Sequence, residues 1–339
     1  MTIDPLPATA GVESSHPLPI MKRLGLGLAA LGRPGYINLG HGADLPHAYA
    51  LEAMQRHSAT VLDAAWQAGV RYFDAARSYG RAEEFLGHWL HSRNVQPNAV
   101  YIASKWGYTY TADWQVVAAQ HEVKEHSLAV LQRQWQETQR SLQGYLCLYQ
   151  IHSATLESGV LTNHAVLNAL AALKAQGVAI GLSLSGANQA AVLEQALQVQ
   201  VDGAPLFAAV QATWNLLEPS AGLQLQIAYE QGLRIIVKEA LANGRLTARN
   251  QAASFAASRQ LLESQAARLA TTLDALALAA VLAQPWADIV LSGAATVAQL
   301  QSNLRAPDIA WDAEAEAVLA SIREPASQYW KTRSALAWN

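Results

Sequence analysis

One cysteine, Cys147, stands among 339 residues, which rules out an intrachain disulfide and suits a reducing compartment. It lies inside the apolar run Leu146-Cys147-Leu148-Tyr149-Gln150-Ile151, where it reads as a small core hydrophobe and not as a nucleophile. Charge is also sparse, at 14% Asp, Glu, Lys and Arg with a net charge of -3. With no Lys/Arg block, there is no electrostatic footprint for nucleic acid or an anionic membrane. Long apolar runs are missing too, and none approaches the roughly 18 residues of a transmembrane helix. Residues 1–20 hold Asp4, Glu13 and four prolines without a continuous apolar core. They read as a flexible arm and not as a secretion signal, so a cytoplasmic location is the expectation. No Pro/Ser-rich linker divides the rest, and residues 21–339 are expected to form one unit.

What is present is apolar residue in quantity, 51% of the chain, arranged as short runs alternating with longer amphipathic segments. Strands are expected at Leu24–Leu28, Val70–Phe73, Val100–Ser104, Leu146–Ile151, Ile180–Ser183, Ala209–Ala212, Arg234–Val237 and Ile289–Leu291. Helices are expected at Ala48–Ala68, Ala82–His91, Val123–Leu142, Val166–Ala175, Ala187–Leu197 and Gly222–Gln231. Helix-ending glycines in Ala68-Gly69, Gln176-Gly177 and Gln231-Gly232 pass straight into the next strand. Eight such units predict an α/β fold, a single-domain (β/α)8 TIM barrel. The Ala/Leu/Gln-rich run Gln260–Gln284 lacks a sustained heptad and predicts two covering helices. Two segments break the repeat. Ala240–Ala257 is a long polar connection of the kind that forms lids or binding loops. The tail carries a helix at Ala313–Ile322, then Tyr329-Trp330-Lys331 and Trp338-Asn339, aromatic enough either to pack on the barrel wall or to form a flap over a site.

Three of the apolar runs end in chemistry. Tyr72-Phe73 stops at Asp74, with Tyr79 five residues on; Val100–Ser104 stops at Lys105; Leu146–Ile151 stops at His152. In a parallel barrel such ends share one rim, so Asp74, Tyr79, Lys105 and His152 converge. Each has a plain alternative: Asp74 as a helix cap, Lys105 with Asp74 as a structural ion pair, Tyr79 as a core aromatic, His152 as a satisfied rim histidine. Together, on strand ends two, three and four, they make a catalytic set. The set resembles the tetrad of the aldo-keto reductases. In that reading Tyr79 donates a proton to a carbonyl oxygen, Lys105 favours its phenolate, Asp74 keeps Lys105 charged, and His152 orients the carbonyl.

The resemblance covers most of the chain. Its strongest element is Gly69-Val70-Arg71-Tyr72-Phe73-Asp74-Ala75-Ala76-Arg77-Ser78-Tyr79-Gly80 followed by Glu83-Glu84-Phe85-Leu86-Gly87. It implies hydride transfer between a nicotinamide dinucleotide and a small carbonyl or alcohol, without metal. For the cofactor it implies Gly27 near the nicotinamide, Ser183 and Gln211 on its carboxamide, and Trp214 stacked on the ring. Leu241 and Gly244 fall in a diphosphate loop, and Gly293, Gln299 and Asn303 in an adenosine-binding loop and helix. Tyr36 and Trp106 are expected in the substrate pocket. The chain departs from the family at Leu184, at Lys238-Glu239-Ala240 and at Ser302; Lys238 can offset the Glu239 charge, and Arg249 is the nearest cation for a 2′-phosphate. NADP is the cofactor that the resemblance implies, with NAD as its competitor. The alternatives are an NAD-dependent sugar or alcohol dehydrogenase and a nicotinamide-binding sensor or interaction subunit with little turnover. A Rossmann reading of Gly25-Leu26-Gly27-Leu28-Ala29-Ala30-Leu31-Gly32 fails because Arg33-Pro34-Gly35 follows where a helix must open. His88 and His91 lack partners at ligand spacing, and His121 and His126 are expected on different sides of one helix.

Overall fold

Eight parallel strands close into one barrel in the computed structural model, which describes residues 23–45 and 49–339. They are Leu24–Gly27, Tyr72–Asp74, Tyr101–Trp106, Leu146–Ala154, Ala179–Leu184, Ala209–Thr213, Arg234–Lys238 and Ile289–Ser292. Each pairs with its neighbours in chain order, and the eighth closes on the first through Leu26 and Ser292. The eight expected strands are all present, with ends shifted by a few residues. The expected arm at 1–20 lies outside the described residues, as does Ala48 at the start of the first expected helix.

Side chains alternate across the barrel wall, as strand geometry requires. Leu26, Phe73, Ile102, Ile151, Leu182, Val210, Val237 and Val290 face outward into the clusters shared with the helices. Tyr72, Tyr101, Ala103, Leu148, Ala209, Ile236, Ile289 and Leu291 fill the inside, joined by Cys147. Burial pushes the Cys147 thiol up from its ordinary range, so it stays protonated and apolar. The rings of Tyr72 and Tyr101 stack at 5.4 Å with 13° between planes. Gly25 makes room for them: a Cβ there would sit 2.9 Å from Tyr72 Cδ1.

Helices α1 (Leu51–Gln67), α2 (Ala82–Ser92), α3 (Leu128–Leu142), α4 (His164–Ala175), α5 (Gln189–Leu197) and α6 (Gly222–Glu230) follow the expected order. The expected helix Val123–Leu142 is shorter at its start. The Ser127 hydroxyl accepts from the Val130 N–H at 3.3 Å and caps α3 there. Upstream, Glu122–Lys124 pairs antiparallel with Tyr108–Tyr110 in a hairpin above the third strand, because Val123 alternates with charged neighbours in a strand pattern. His121 and His126 therefore flank a strand and not a helix. The run Gln260–Gln284 does form two helices, α7 (Ala256–Arg268) and α8 (Leu273–Leu282), bent by 82°. Nearly all of α8 is buried, and among the described residues no single helix is long and apolar enough to cross a membrane. The helices α9 (Val297–Asn303), α10 (Ala313–Leu319) and α11 (Ala326–Ser334) complete the chain.

The tight fit at Gly25 gives a direct check on the packing of the barrel interior. Gly25→Ala should destabilise the fold by about 1–3 kcal/mol through overpacking against Tyr72. Urea unfolding measures this, and an unchanged midpoint would contradict the stacked arrangement.

Candidate active site

At the carboxyl end of the barrel, Lys105 and Asp74 are 1% and 2% exposed and form an ion pair. A buried ammonium needs more than one acceptor, and Lys105 Nζ also donates to Ala75 O at 3.0 Å and to Tyr79 Oη at 3.4 Å. The second oxygen of Asp74 accepts from Gln211 Nε2 at 3.0 Å and Gln150 Nε2 at 3.3 Å. Residues of strands two, three, four and six thus meet on one carboxylate. The Tyr79 ring lies edge-on to His152 at 5.6 Å, and Tyr108 of the hairpin flanks the same histidine at 4.9 Å. Burial, and then the Asp74 carboxylate, hold the Tyr79 phenol protonated well above its ordinary range, while Arg33 pulls the other way. Burial, then Lys105 and Lys238, push His152 well below its ordinary value, so its imidazole is neutral.

A cavity of about 370 Å³ opens onto this group, lined by Asp74, Tyr79, His152, Gln211, Gly27 and Gly293. Its upper wall brings distant segments together. Arg33 is buried, donates from Nη1 to Ser78 O at 2.8 Å and Glu122 Oε2 at 3.0 Å, and lies 4.6 Å from the Trp338 ring, 5.3 Å from Tyr36 and 5.7 Å from Tyr79. His121 stacks on Trp338 at 4.0 Å, and the backbones of Tyr36 and Asn339 exchange hydrogen bonds. On the opposite wall Glu239, at φ 54°, accepts from Thr213 Oγ1 at 2.9 Å and Arg333 Nε at 2.9 Å, with Lys238 Nζ at 3.9 Å. Burial works against this carboxylate, but Arg333 and then Lys238 bring it down to about 2. Burial in turn lowers Lys238 to about 8.

A second cavity, of about 190 Å³, shares Asn38, Leu241 and Gly293 with the first, and its lining includes Gly244, Arg249, Asp274, Gln299 and Asn303. Between the two runs a loop with Ala242, Asn243 and Gly244 all at positive φ. Just ahead of it, the N–H groups of Ala240 and Leu241 find no acceptor among the described residues. Free amides beside such turns favour anions. Two joined cavities with amide donors at the junction fit a dinucleotide.

A sequence model of the aldo/keto reductase family matches residues 23–324. The chain belongs to the aldo/keto reductase family. That family comprises NAD(P)H-dependent oxidoreductases of carbonyl and alcohol substrates. A curated relative, aldo-keto reductase str7 of Strobilurus tenacellus, is 34% identical over 84 residues, which are 25% of this chain and 21% of the relative. Among solved structures, aldo-keto reductase AKR11C1 from Bacillus halodurans in its holo form is 21% identical, covering 91% of this chain and 95% of its own, with a TM-score of 0.68. Glycerol dehydrogenase AKR11B4 from Gluconobacter oxydans is 20% identical, covering 89% and 91%, with a TM-score of 0.67. At these identities the likeness is one of fold.

Within the aldo/keto reductase barrel, the structure brings Asp74, Tyr79, Lys105 and His152 together, and places Tyr36, Gly27, Gln211, Leu241 and Gly293 on the main cavity. Gly244, Arg249, Gln299 and Asn303 line the second. Ser183 is buried, and its hydroxyl accepts from the Ser153 N–H at 2.8 Å. Two tryptophans lie elsewhere. Trp106, expected in the substrate pocket, is fully buried in the outer core and meets His126 edge-on at 5.6 Å. Trp214, expected on the nicotinamide, packs edge-on against Trp286 at 5.7 Å in the same core. Strand alternation is the reason. Lys105 and Gln211 point inward, so the residues one and three positions later point out toward the helices.

Arg249, expected at the 2′-phosphate, makes a two-pronged ion pair with Asp44. Lys238 does approach Glu239, as its expected compensator, but Arg333 on α11 holds the stronger contacts. Sequence reasoning missed Arg33, Asp44, Glu122, Arg333 and the wall they build. The tail combines both of its expected roles: Tyr329 is buried and accepts from Asn215 Nδ2 at 3.0 Å, while Trp338 lines the cavity.

Because Trp214 is core, Trp214→Ala should lose about 3–5 kcal/mol of stability yet leave dinucleotide affinity unchanged; a stable variant with weakened binding would return the ring to the site. The Glu239–Arg333 pair has a pH signature. A depressed carboxylate contributes fully above its ordinary value of 4.5 and loses the contribution as pH falls through about 2. The Tm difference between wild type and Glu239→Gln should accordingly hold constant from neutral pH to about pH 5 and shrink below pH 4.5. A gap that persists to pH 2 would refute the pairing.

Proposed function

We propose that this aldo/keto reductase interconverts a small carbonyl compound and its alcohol, with Tyr79 as the proton donor in reduction and the acceptor in oxidation. The observation that supports this most is Lys105 Nζ, which sits between Asp74 and the Tyr79 hydroxyl at the floor of the main cavity. A bound nicotinamide supplies the hydride for reduction and takes it up in oxidation. Gly27, Gln211 and Gly293 would hold its nicotinamide half, with Leu241, Gly244 and Asn303 along the remainder.

Tyr79 carries its proton at neutral pH, since burial and Asp74 keep the phenol from ionising. When the carbonyl oxygen gains negative charge, the phenol O–H proton moves to it and a phenolate remains. The Lys105 ammonium, 3.4 Å away, stabilises that phenolate, with the Arg33 guanidinium as a second cation over the ring. Asp74 pairs with the Lys105 ammonium and holds it beside the Tyr79 hydroxyl, and Gln150 and Gln211 hold Asp74 in place. His152, neutral and beside Tyr79, orients the oxygen without competing as the acid. The walls of Tyr36, Trp338 and Leu336 exclude water from the reacting oxygen. Both NADP, expected from the family resemblance, and NAD fit this account, since they differ only at the adenosine ribose.

Tyr79→Phe removes the transferable proton and nothing else of the cavity shape. Turnover with an aromatic or aliphatic aldehyde should fall by about 10²–10⁴-fold, with dinucleotide affinity unchanged in a fluorescence titration. Wild-type turnover in this variant would sink the proposal.

A further inference from the structure

Asp44 follows the short turn His41–Ala43 in the connection between the first strand and α1, and its side chain is 4% exposed. Three donors from two other segments converge on it. Arg249 approaches with both terminal nitrogens, Nη1 at 2.6 Å from Oδ2, and Gln299 Nε2 donates to Oδ1 at 2.8 Å. Arg249 Nη1 also donates to the carbonyls of Leu39 and Gly40 at 3.2 and 3.1 Å. Gln299 is held at its other end, where Oε1 accepts from the Ala295 N–H at 2.8 Å. Of the polar side chains that line the second cavity, Arg249 and Gln299 are thus committed to this carboxylate.

Charge around this cavity points the same way. Arg249 is the one cation among the described residues that line it, and Asp274 lines it as well. With Asp44 counted, one positive charge faces two negative ones. A dianionic 2′-phosphate here would have to displace Asp44 from Arg249 or lie beside two carboxylates. A ribose 2′-hydroxyl meets no such conflict, because it is uncharged and asks neither for Arg249 to be released nor for a dianion to sit beside the carboxylates.

We propose that Asp44 is the residue that sets cofactor choice: by occupying Arg249 and Gln299 it shapes the adenosine end for an unphosphorylated ribose, and the protein binds NAD(H) in preference to NADP(H). The proposal rests on the nicotinamide reading above. With the nicotinamide beside Tyr79, the dinucleotide must run through the junction at Asn38, Leu241 and Gly293 into the second cavity.

Fluorescence titration with NADH and with NADPH tests this apart from turnover. Wild type should bind NADH at least about tenfold more tightly than NADPH, and Arg249→Ala, which leaves Asp44 and Asp274 without their cation, should keep or widen that gap. Asp44→Asn frees the guanidinium and should tighten NADPH about tenfold, the scale of one hydrogen bond to a charged group. The double variant Asp44→Asn/Arg249→Ala should lose that gain. Tighter binding of NADPH by wild type, with selective loss of it in Arg249→Ala, would overturn the role of Asp44 and leave the nicotinamide reading standing. An unchanged NADPH-to-NADH ratio in folded Asp44→Asn would do the same. Binding of neither dinucleotide by wild type would remove both. Should Asp44→Asn not fold, the wild-type ratio and Arg249→Ala decide the matter.

Discussion

A lysine ammonium and an aspartate carboxylate buried together at the end of a barrel can persist only if every remaining lone pair and proton finds a partner. The Lys105–Asp74 pair comes close to that condition: the ammonium also has an Ala75 carbonyl and the Tyr79 hydroxyl, and the carboxylate has the amides of Gln150 and Gln211. Four strands contribute to it. The barrel must therefore close in correct register before the charges are compensated, and the compensated charges then hold those four strand ends at one point. The same network leaves Tyr79 as the group that faces both the ammonium and open space. One interaction therefore ties the closure of the barrel to the position of the Tyr79 hydroxyl.

Above this floor the cavity walls come from the loops, and they too are held by charge. Glu239 sits in a left-handed backbone conformation beside the seventh strand, which costs of order 1 kcal/mol or more for a residue with a side chain. Arg333, reaching in from α11, offsets the carboxylate and ties the tail to the barrel. On the facing wall Arg33 lies among Trp338, Tyr36 and Tyr79, and its guanidinium links the tail, the first loop and the Tyr79 ring. The tail is thus attached on two sides, by an ion pair on one and by cation–π contacts and backbone hydrogen bonds on the other. Asp44 repeats the device beside the second cavity, where one carboxylate joins the first loop to the loop after strand seven and to α9.

Residue order along the chain was enough to read the eightfold repeat and the meeting of Asp74, Tyr79, Lys105 and His152, because strand period and strand direction are local properties that a parallel barrel converts into a shared rim. The same local rule held the answer for two misplaced tryptophans. Counting from Lys105 and Gln211 puts Trp106 and Trp214 on the helix side, where the structure has them. The hairpin at Tyr108–Tyr110 and Glu122–Lys124 was harder to see, since its short second strand runs almost directly into α3 and shares its polar character.

Pairing across long separations was beyond the reach of any local pattern. Arg249 reads from the sequence as a free cation, and only the folded chain brings Asp44, 205 residues away, against it. Arg333 and Glu239 are 94 residues apart, and Asn339 meets Tyr36 only when the barrel has closed. The sequence by itself determined the barrel and the convergence of Asp74, Tyr79, Lys105 and His152 at one end of it, both of which follow from short apolar runs that alternate with amphipathic helices. Tertiary structure decided which charges are cancelled and which remain available. Coulomb interactions depend on distance in space and on burial, and neither is a function of spacing along the chain.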